Sequence, residues 1–355
     1  MLDALAAAAG IVLILVALLD AFETIVLPRR VTRPYRLARV FLRSTWRMWA
    51  GGVRAVPVAS RETYLSFYGP LSLLLLITLW GALMVLGFGL VLWGLGSAVT
   101  SSGHEARFGS DIYMSGTTFF TLGLGDVRPD STLSRLIVVI EAGSGFGFFA
   151  LVITYLPVLY QAFSRREVNV SLLDARAGSP PSAGEFFRRL NDGGQLDRMP
   201  DFLREWERWA AELLEIHLSY PVLALYRSQH ERQSWLASLT FILDVSSLVL
   251  AGALESAKRP ARLTFAMARH AAVDLSQGLG AGPVYREDRL PPAEFARLIA
   301  AADPMLANVR RDELDVLRSK YEPNVVSLSR MLLMPLPSWL PAEGKDAWQS
   351  SPWGG

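Results

Sequence analysis

The stretch of this sequence best suited to chemistry carries no catalytic side chain. It is Thr121-Leu122-Gly123-Leu124-Gly125-Asp126, preceded by residues 110–120 and followed by Pro129. Gly123 and Gly125 lack a Cβ and can take positive φ without steric cost. If they alternate in handedness with Leu122 and Leu124, consecutive backbone carbonyls turn toward one axis. A row of such carbonyls can replace the hydration shell of a cation. The Thr121 hydroxyl adds one more oxygen at the end of the row. A single chain supplies a single strand, so four copies are expected to surround an ion. Residues 110–120 are too few to span a bilayer but enough for a short helix, whose carboxyl end would favour a cation at the foot of the strand.

Other chemistries find little support. The absence of cysteine excludes disulfides, thiolate metal sites and thiol catalysis. His104, His217, His230 and His270 stand at spacings that match no metal motif. Gly278-Leu279-Gly280-Ala281-Gly282 has no apolar strand before it and Pro283 after it, so it reads as a loop and not a phosphate cradle. A net charge of +2 does not suggest a nucleic-acid binder. No enzyme activity and no cofactor are expected.

The elements around the motif must bring it to membrane depth. With 51% hydrophobic and 19% charged residues and a mean hydropathy of +0.28, the chain is too apolar for an ordinary soluble protein. A hydrocarbon core about 30 Å thick needs about 20 apolar helical residues. Residues 2–27, 71–95 and 136–163 reach that length, the second without a charge and the third with only Glu141. The first segment lacks a basic leader and a cleavage site and reads as a retained helix. Nine arginines (29, 30, 33, 36, 39, 43, 47, 54 and 61) against one acid, Glu62, fill the stretch after it, and Arg165 and Arg166 follow the third. Basic loops stay cytoplasmic, which puts the N-terminus outside and everything after residue 163 inside. Arg36, Arg39, Arg43 and Arg47 share a helical face among Leu37, Val40, Phe41, Trp46 and Trp49, the pattern of a helix lying in the interface. A voltage sensor would need a membrane-length span and countercharges that one preceding helix hardly supplies. Asp20 and Glu23 are expected to pair with Arg29 or Arg30.

Beyond the third span, Phe202, Trp206, Trp209, Leu213 and His217 share one face, and Asp303-Pro304 resembles a helix start. Asp244 at the centre of residues 235–254 would cost about 2.5 to 3.5 kcal/mol to insert; a buried helix of a helical domain is expected there. The resulting layout is an all-α membrane protein: N-terminal transmembrane helix (1–28), basic interfacial segment (29–68), a module of outer helix, re-entrant helix with its strand, and inner helix (69–163), helical cytoplasmic domain (164–320) and a flexible, proline-rich tail (321–355).

Thr121 to Asp126 resembles the Thr-Val-Gly-Tyr-Gly-Asp signature of potassium channels, with Pro129 at the usual place. Upstream, Tyr113, Ser115, Thr117 and Thr118 look like the pore helix of two-pore-domain and bacterial two-transmembrane channels. The resemblance implies a homotetramer conducting K+ in a cell membrane, with potassium held at Thr121, Leu122, Gly123 and Leu124, Gly125 completing the selectivity filter, and lipid around it. It sets Gly145 and Gly147 where inner-helix hinge glycines occur, and Pro157 offers a second kink. Two departures stand out. Leu124 replaces the tyrosine whose hydroxyl ties the filter to its helix, and Phe120 replaces a threonine. Phe120, Thr117, Thr118, Asp126 and Glu141 are the expected filter supports. By family geometry Glu141, the lone ionisable group of the inner helix, lies beside the pore helix with Thr117 and Thr118 as partners.

Overall fold

The computed structural model describes residues 1–27, 36–96, 99–101, 108–194, 196–229, 233–284 and 288–341. The chain divides into two compact units, Met1–Val58 with Phe67–Tyr160, and Ala59–Ser66 with Gln161–Gly355. Among the described residues, four helical stretches are long and apolar enough to cross a membrane: Leu2–Val26, Val58–Gly94, Thr132–Ala177 and Trp235–Ala253. The chain is an all-α membrane protein with several apolar helices.

The first unit begins with α1 (Leu2–Ala21), whose last turn, Phe22–Val26, is wound as a π-helix. The amphipathic α2 (Leu37–Gly52) follows. After α3 (Arg61–Ser66), which belongs to the second unit, comes α4 (Tyr68–Gly94), apolar on all sides. A helix without a polar face must be buried in protein or lipid. Contact between α1 and α4 depends on small residues, because a Cβ on Gly10 would strike the Gly87 carbonyl and one on Gly94 would lie 2.5 Å from the Asp3 carbonyl. Strand β1 (Val99–Ser101) pairs antiparallel with β2 (Val127–Pro129), on either side of α5 (Phe108–Phe119). The unit closes with the first part of α6 (Thr132–Ala177).

The pairing expected of Asp20 with Arg29 or Arg30 falls on arginines outside the described residues, and within them its carboxylate meets other partners. Asp20 is 4% exposed, and its Oδ2 accepts from the Ala38 N–H at 3.0 Å and from Trp80 Nε1–H at 2.9 Å. The first turn of a helix leaves N–H groups without partners, and here a carboxylate from α1 satisfies one of α2. Glu23 pairs with Arg36 at 3.5 Å. Arg29, Arg30 and Arg33 lie outside the described residues.

In the second unit α6 continues unbroken to Ala177, past the boundary expected at residue 163. It is followed by α7 (Ala183–Asp192), α8 (Met199–Ser219), α9 (Trp235–Leu248), α10 (Lys258–Leu279), α11 (Pro292–Ala301), α12 (Arg311–Arg318) and α13 (Glu322–Leu332). The five α8 residues expected on one face are all buried. Every residue of α9 is buried within this unit. Asp244 bonds Arg289 at 2.6 Å and the Tyr321 hydroxyl at 2.6 Å, so the charge that disfavours insertion has protein partners. No helix starts at Pro304, because residues 302–308 form turns, and Gly280 is the left-handed cap of α10.

The tail expected from residue 321 onward is corrected. Tyr321 and Trp339 are fully buried, Leu340 nearly so, and α13 packs against α9 and α10. Prolines at 335, 337 and 341 mark the end of helix, but Trp339 among them holds the segment in the core. Residues 342–355 lie outside the described residues.

Candidate functional site

Twelve residues of α5 make a helix about 18 Å long, too short to cross a bilayer. Its carboxyl end is anchored by Phe119, fully buried among Ala17, Met84 and Phe88. On the outer-helix side Gly89 makes room for α5, since a Cβ there would collide with Ile112.

At Phe119 the helix gives way to a ribbon of alternating handedness. Thr121 has φ +56°, Gly123 +57° and Gly125 +78°, while Leu122 and Leu124 are not left-handed. The expected glycine alternation is present, and it includes Thr121, which takes a left-handed conformation that costs a residue with a Cβ about 1–2 kcal/mol. The ribbon is tied to the helix through its amides. Thr121 N–H donates to the Thr118 carbonyl at 3.0 Å, and the Leu122 and Gly123 N–H groups both donate to the Thr117 carbonyl, at 2.7 and 3.3 Å. With the N–H groups turned back to the helix, the carbonyls are left for another partner. Among the described residues no donor reaches the carbonyls of residues 121–124, whereas Gly125 O accepts from Arg128 Nε at 2.8 Å. Residues 121–126 are exposed in the single chain.

Leu124 has no hydroxyl, but a tie at the next level exists. The Tyr113 hydroxyl on α5 hydrogen-bonds Asp126 at the end of the ribbon. Pairing of β1 with β2 fixes the segment just beyond it. Phe120 is half exposed in the single chain, with its ring 6.0 Å from that of Phe149.

Glu141 is fully buried against α5. Its partner is Ser115, in place of the expected Thr117 and Thr118. The Ser115 hydroxyl contacts both Glu141 Oε1 and, at 2.8 Å, the Val85 carbonyl of α4. The reason is register: Thr117 Oγ1 is turned to its own helix, donating to the Met114 carbonyl at 3.0 Å. One side chain of α5 thus joins outer, pore and inner helices. Signals for it lay in the sequence, since Ser115 is a small hydroxyl residue on the short helix facing an acid that needs a donor.

Gly145 is in a crowded place. A Cβ there would run into the Phe119 carbonyl at the end of α5, whereas Gly147 and Gly143 have open space. Gly145 thereby serves close helix approach, whatever part it has in bending. Pro157 lies inside α6 without interrupting it.

Residues 73–161 match a family described as ion channel. This stretch, from α4 through the ribbon into α6, is an ion-channel pore domain. The chain is also similar to the uncharacterized membrane protein YdjJ of Bacillus subtilis (strain 168), with 24% identity over 247 residues covering 68% of this chain and 71% of that protein. No solved structure matches the chain.

Proposed function

We propose, starting from an ion-channel pore domain at residues 73–161, that the chain is one subunit of a homotetrameric, potassium-selective channel that conducts K+ passively through residues 121–125. The observation that carries this reading is the alternation of left-handed φ at Thr121, Gly123 and Gly125 directly after the carboxyl end of a short helix. Four such ribbons around one axis would stack rings of carbonyls at Thr121, Leu122, Gly123 and Leu124, with K+ as permeant ion and no cofactor. Tetramer formation is supported by the single ribbon each chain supplies, since one strand of carbonyls cannot surround an ion. In this reading the chain sits in the cell membrane, the arginine-rich segment and the second unit are cytoplasmic, and Gly145, Gly147 and Pro157 are the places where the inner helix can bend. Purified chain in liposomes should pass K+ in preference to Na+, and a reversal potential that does not move with the K+ gradient would overturn the assignment.

A less selective cation channel is the second reading. It is favoured by Leu124, which offers no side-chain bond between the middle of the ribbon and α5 and is 63% exposed in the single chain. The reversal potential in mixed Na+ and K+ separates the two.

A further inference from the structure

Glu62 is the one acid among the arginines of residues 29–68, and it lies on α3, which ends two residues before the outer helix α4 begins. Although α4 belongs to the first unit, α3 belongs to the second. The Glu62 carboxylate is 3.4 Å from Arg227 Nη1. Arg227 is itself held, its side chain 3% exposed and its guanidinium donating to the carbonyls of Leu332 at 2.5 Å and Leu333 at 3.1 Å, which end α13. An arginine on the last carbonyls of a helix is a C-terminal cap, so its position is set by the fold and not by Glu62.

The same short segment holds the other end of the pore domain. The carbonyls of Leu223 and Tyr226 accept from Arg166 Nη1 at 2.8 Å and Nη2 at 3.1 Å. Arg166 lies on the continuation of α6, is 1% exposed, and pairs with Glu167 at 2.9 Å. Residues 223–227 therefore receive both the helix that leaves the pore domain and the segment that leads into it.

We propose that residues 223–227 are a clamp that joins α3 to the end of α6 as one mechanical body, so that the second unit sets the outer and inner pore helices together and gates the channel through both. The gating part rests on the conduction reading above. Because α6 runs unbroken into the second unit, where Arg166 is held, a displacement of the unit is passed to the inner helix and can be taken up as bending at Gly145, Gly147 or Pro157. Glu62 is the polar contact that makes the outer helix follow. A single part-buried ion pair on this path is of the size that shifts allosteric equilibria.

The absence of cysteine allows a clean test. In the variant Glu62→Cys/Leu333→Cys the carboxylate is removed, and both positions are partly exposed and reached by the one arginine side chain. In the reconstituted full-length protein the open-closed equilibrium should shift by about fivefold or more relative to Leu333→Cys alone. A short bis-maleimide should then cross-link the two cysteines within one chain and return the equilibrium to that of Leu333→Cys. Glu62→Gln should raise hydrogen exchange in residues 61–66 while leaving α9 protected. The clamp is overturned if no intrachain cross-link forms and exchange in 61–66 is unmoved. It is also overturned if gating is indifferent to losing the carboxylate or to restoring the link. Should the unmodified chain pass no K+, cross-link and exchange still decide whether the segment is held, and the failure belongs to the conduction reading.

Discussion

Replacing Glu141 tests the contact that joins the inner helix to the pore helix. A hydroxyl has one hydrogen, so Ser115 cannot donate to the Val85 carbonyl and to Glu141 at once. Both contacts are satisfied together when the residue at 141 donates to Ser115 Oγ and Ser115 donates to Val85. Glutamine can do this with its amide and has nearly the volume of glutamate, so Glu141→Gln should leave currents near those of the wild type. Glu141→Ala removes one buried hydrogen bond, about 1 kcal/mol net, and one buried methylene, about 0.8 kcal/mol. The sum, about 2 kcal/mol, corresponds to a roughly 30-fold change in the equilibrium between conducting and collapsed filters. In planar bilayers this is read as the rate and extent of current decay after opening. Ser115→Ala should resemble Glu141→Ala, and the double variant should be no worse than the more severe single one, because both remove the same contact. If Gln reduces inward cation current as strongly as Ala while decay is unchanged, Glu141 acts by its charge, and the role assigned to Ser115 is refuted. Additive effects of Ser115→Ala and Glu141→Ala would refute it equally.

Gly123→Ala and Gly125→Ala meet open space but require left-handed backbone, about 1–2 kcal/mol per position in every subunit. Both variants should remain folded and lose discrimination between K+ and Na+ by reversal potential. Gly145→Ala should disturb selectivity as well as opening, because its methyl meets the Phe119 carbonyl at the foot of the ribbon, whereas Gly147→Ala should leave selectivity intact. A purely kinetic effect of Gly145→Ala would restore the simple hinge. The His217 imidazole is pushed down to about 3 by burial, with Arg166 adding to the shift, from an ordinary value of 6.5. Protons then bind the unfolded chain more readily than the folded one below pH 6.5. Stability of the second unit is therefore fully present above that pH and falls on acidification, by about 2 kcal/mol at pH 5. Thermal unfolding of His217→Gln should lose this part of the acid sensitivity. Asp20→Ala removes the carboxylate that receives Ala38 and Trp80 and should cost the first unit about 1–2 kcal/mol in thermal unfolding, with Asp20→Asn milder.

The three long apolar helices and the ribbon were legible because each rests on local chemistry: length against bilayer thickness, and glycine where φ must be positive. Thr121 was harder, since a threonine in left-handed backbone is held there by the Thr118 and Thr117 carbonyls and not by its own preference. Partner choice was legible only to the resolution of an element. Glu141 was expected beside the pore helix and is there, but whether it faces Ser115 or Thr117 depends on a helical rotation that spacing does not determine. Long-range pairs were the least visible. Spacing suggested Arg29 or Arg30 for Asp20, which lie outside the described residues, and gave no sign of the helix amide and the indole, 18 and 60 residues away, that bond its carboxylate. Composition also misjudged residues 321–341, because proline content says where helices end and nothing about whether Trp339 has a core to enter.

Asp20 and Glu141 follow one rule. Each is an acid within an apolar stretch of helix, each is buried, and each binds a neighbouring element by accepting or sharing a hydrogen, Asp20 with α2 and Trp80, Glu141 with Ser115 of α5. Ionisable groups at membrane depth usually line an ion path or face a water-filled cavity. Here both hydrogen-bond at helix junctions, and the ribbon itself carries no charged side chain between Thr121 and Gly125. The division is physically consistent. In the conduction reading the neutral carbonyls of the ribbon meet the cation, and the two acids hold the helices around it. At a helix junction an acid is an advantage, because in a medium without water its alternative to the native bond is no bond at all. Asp20 and Glu141 thus tie helices of the first unit to one another.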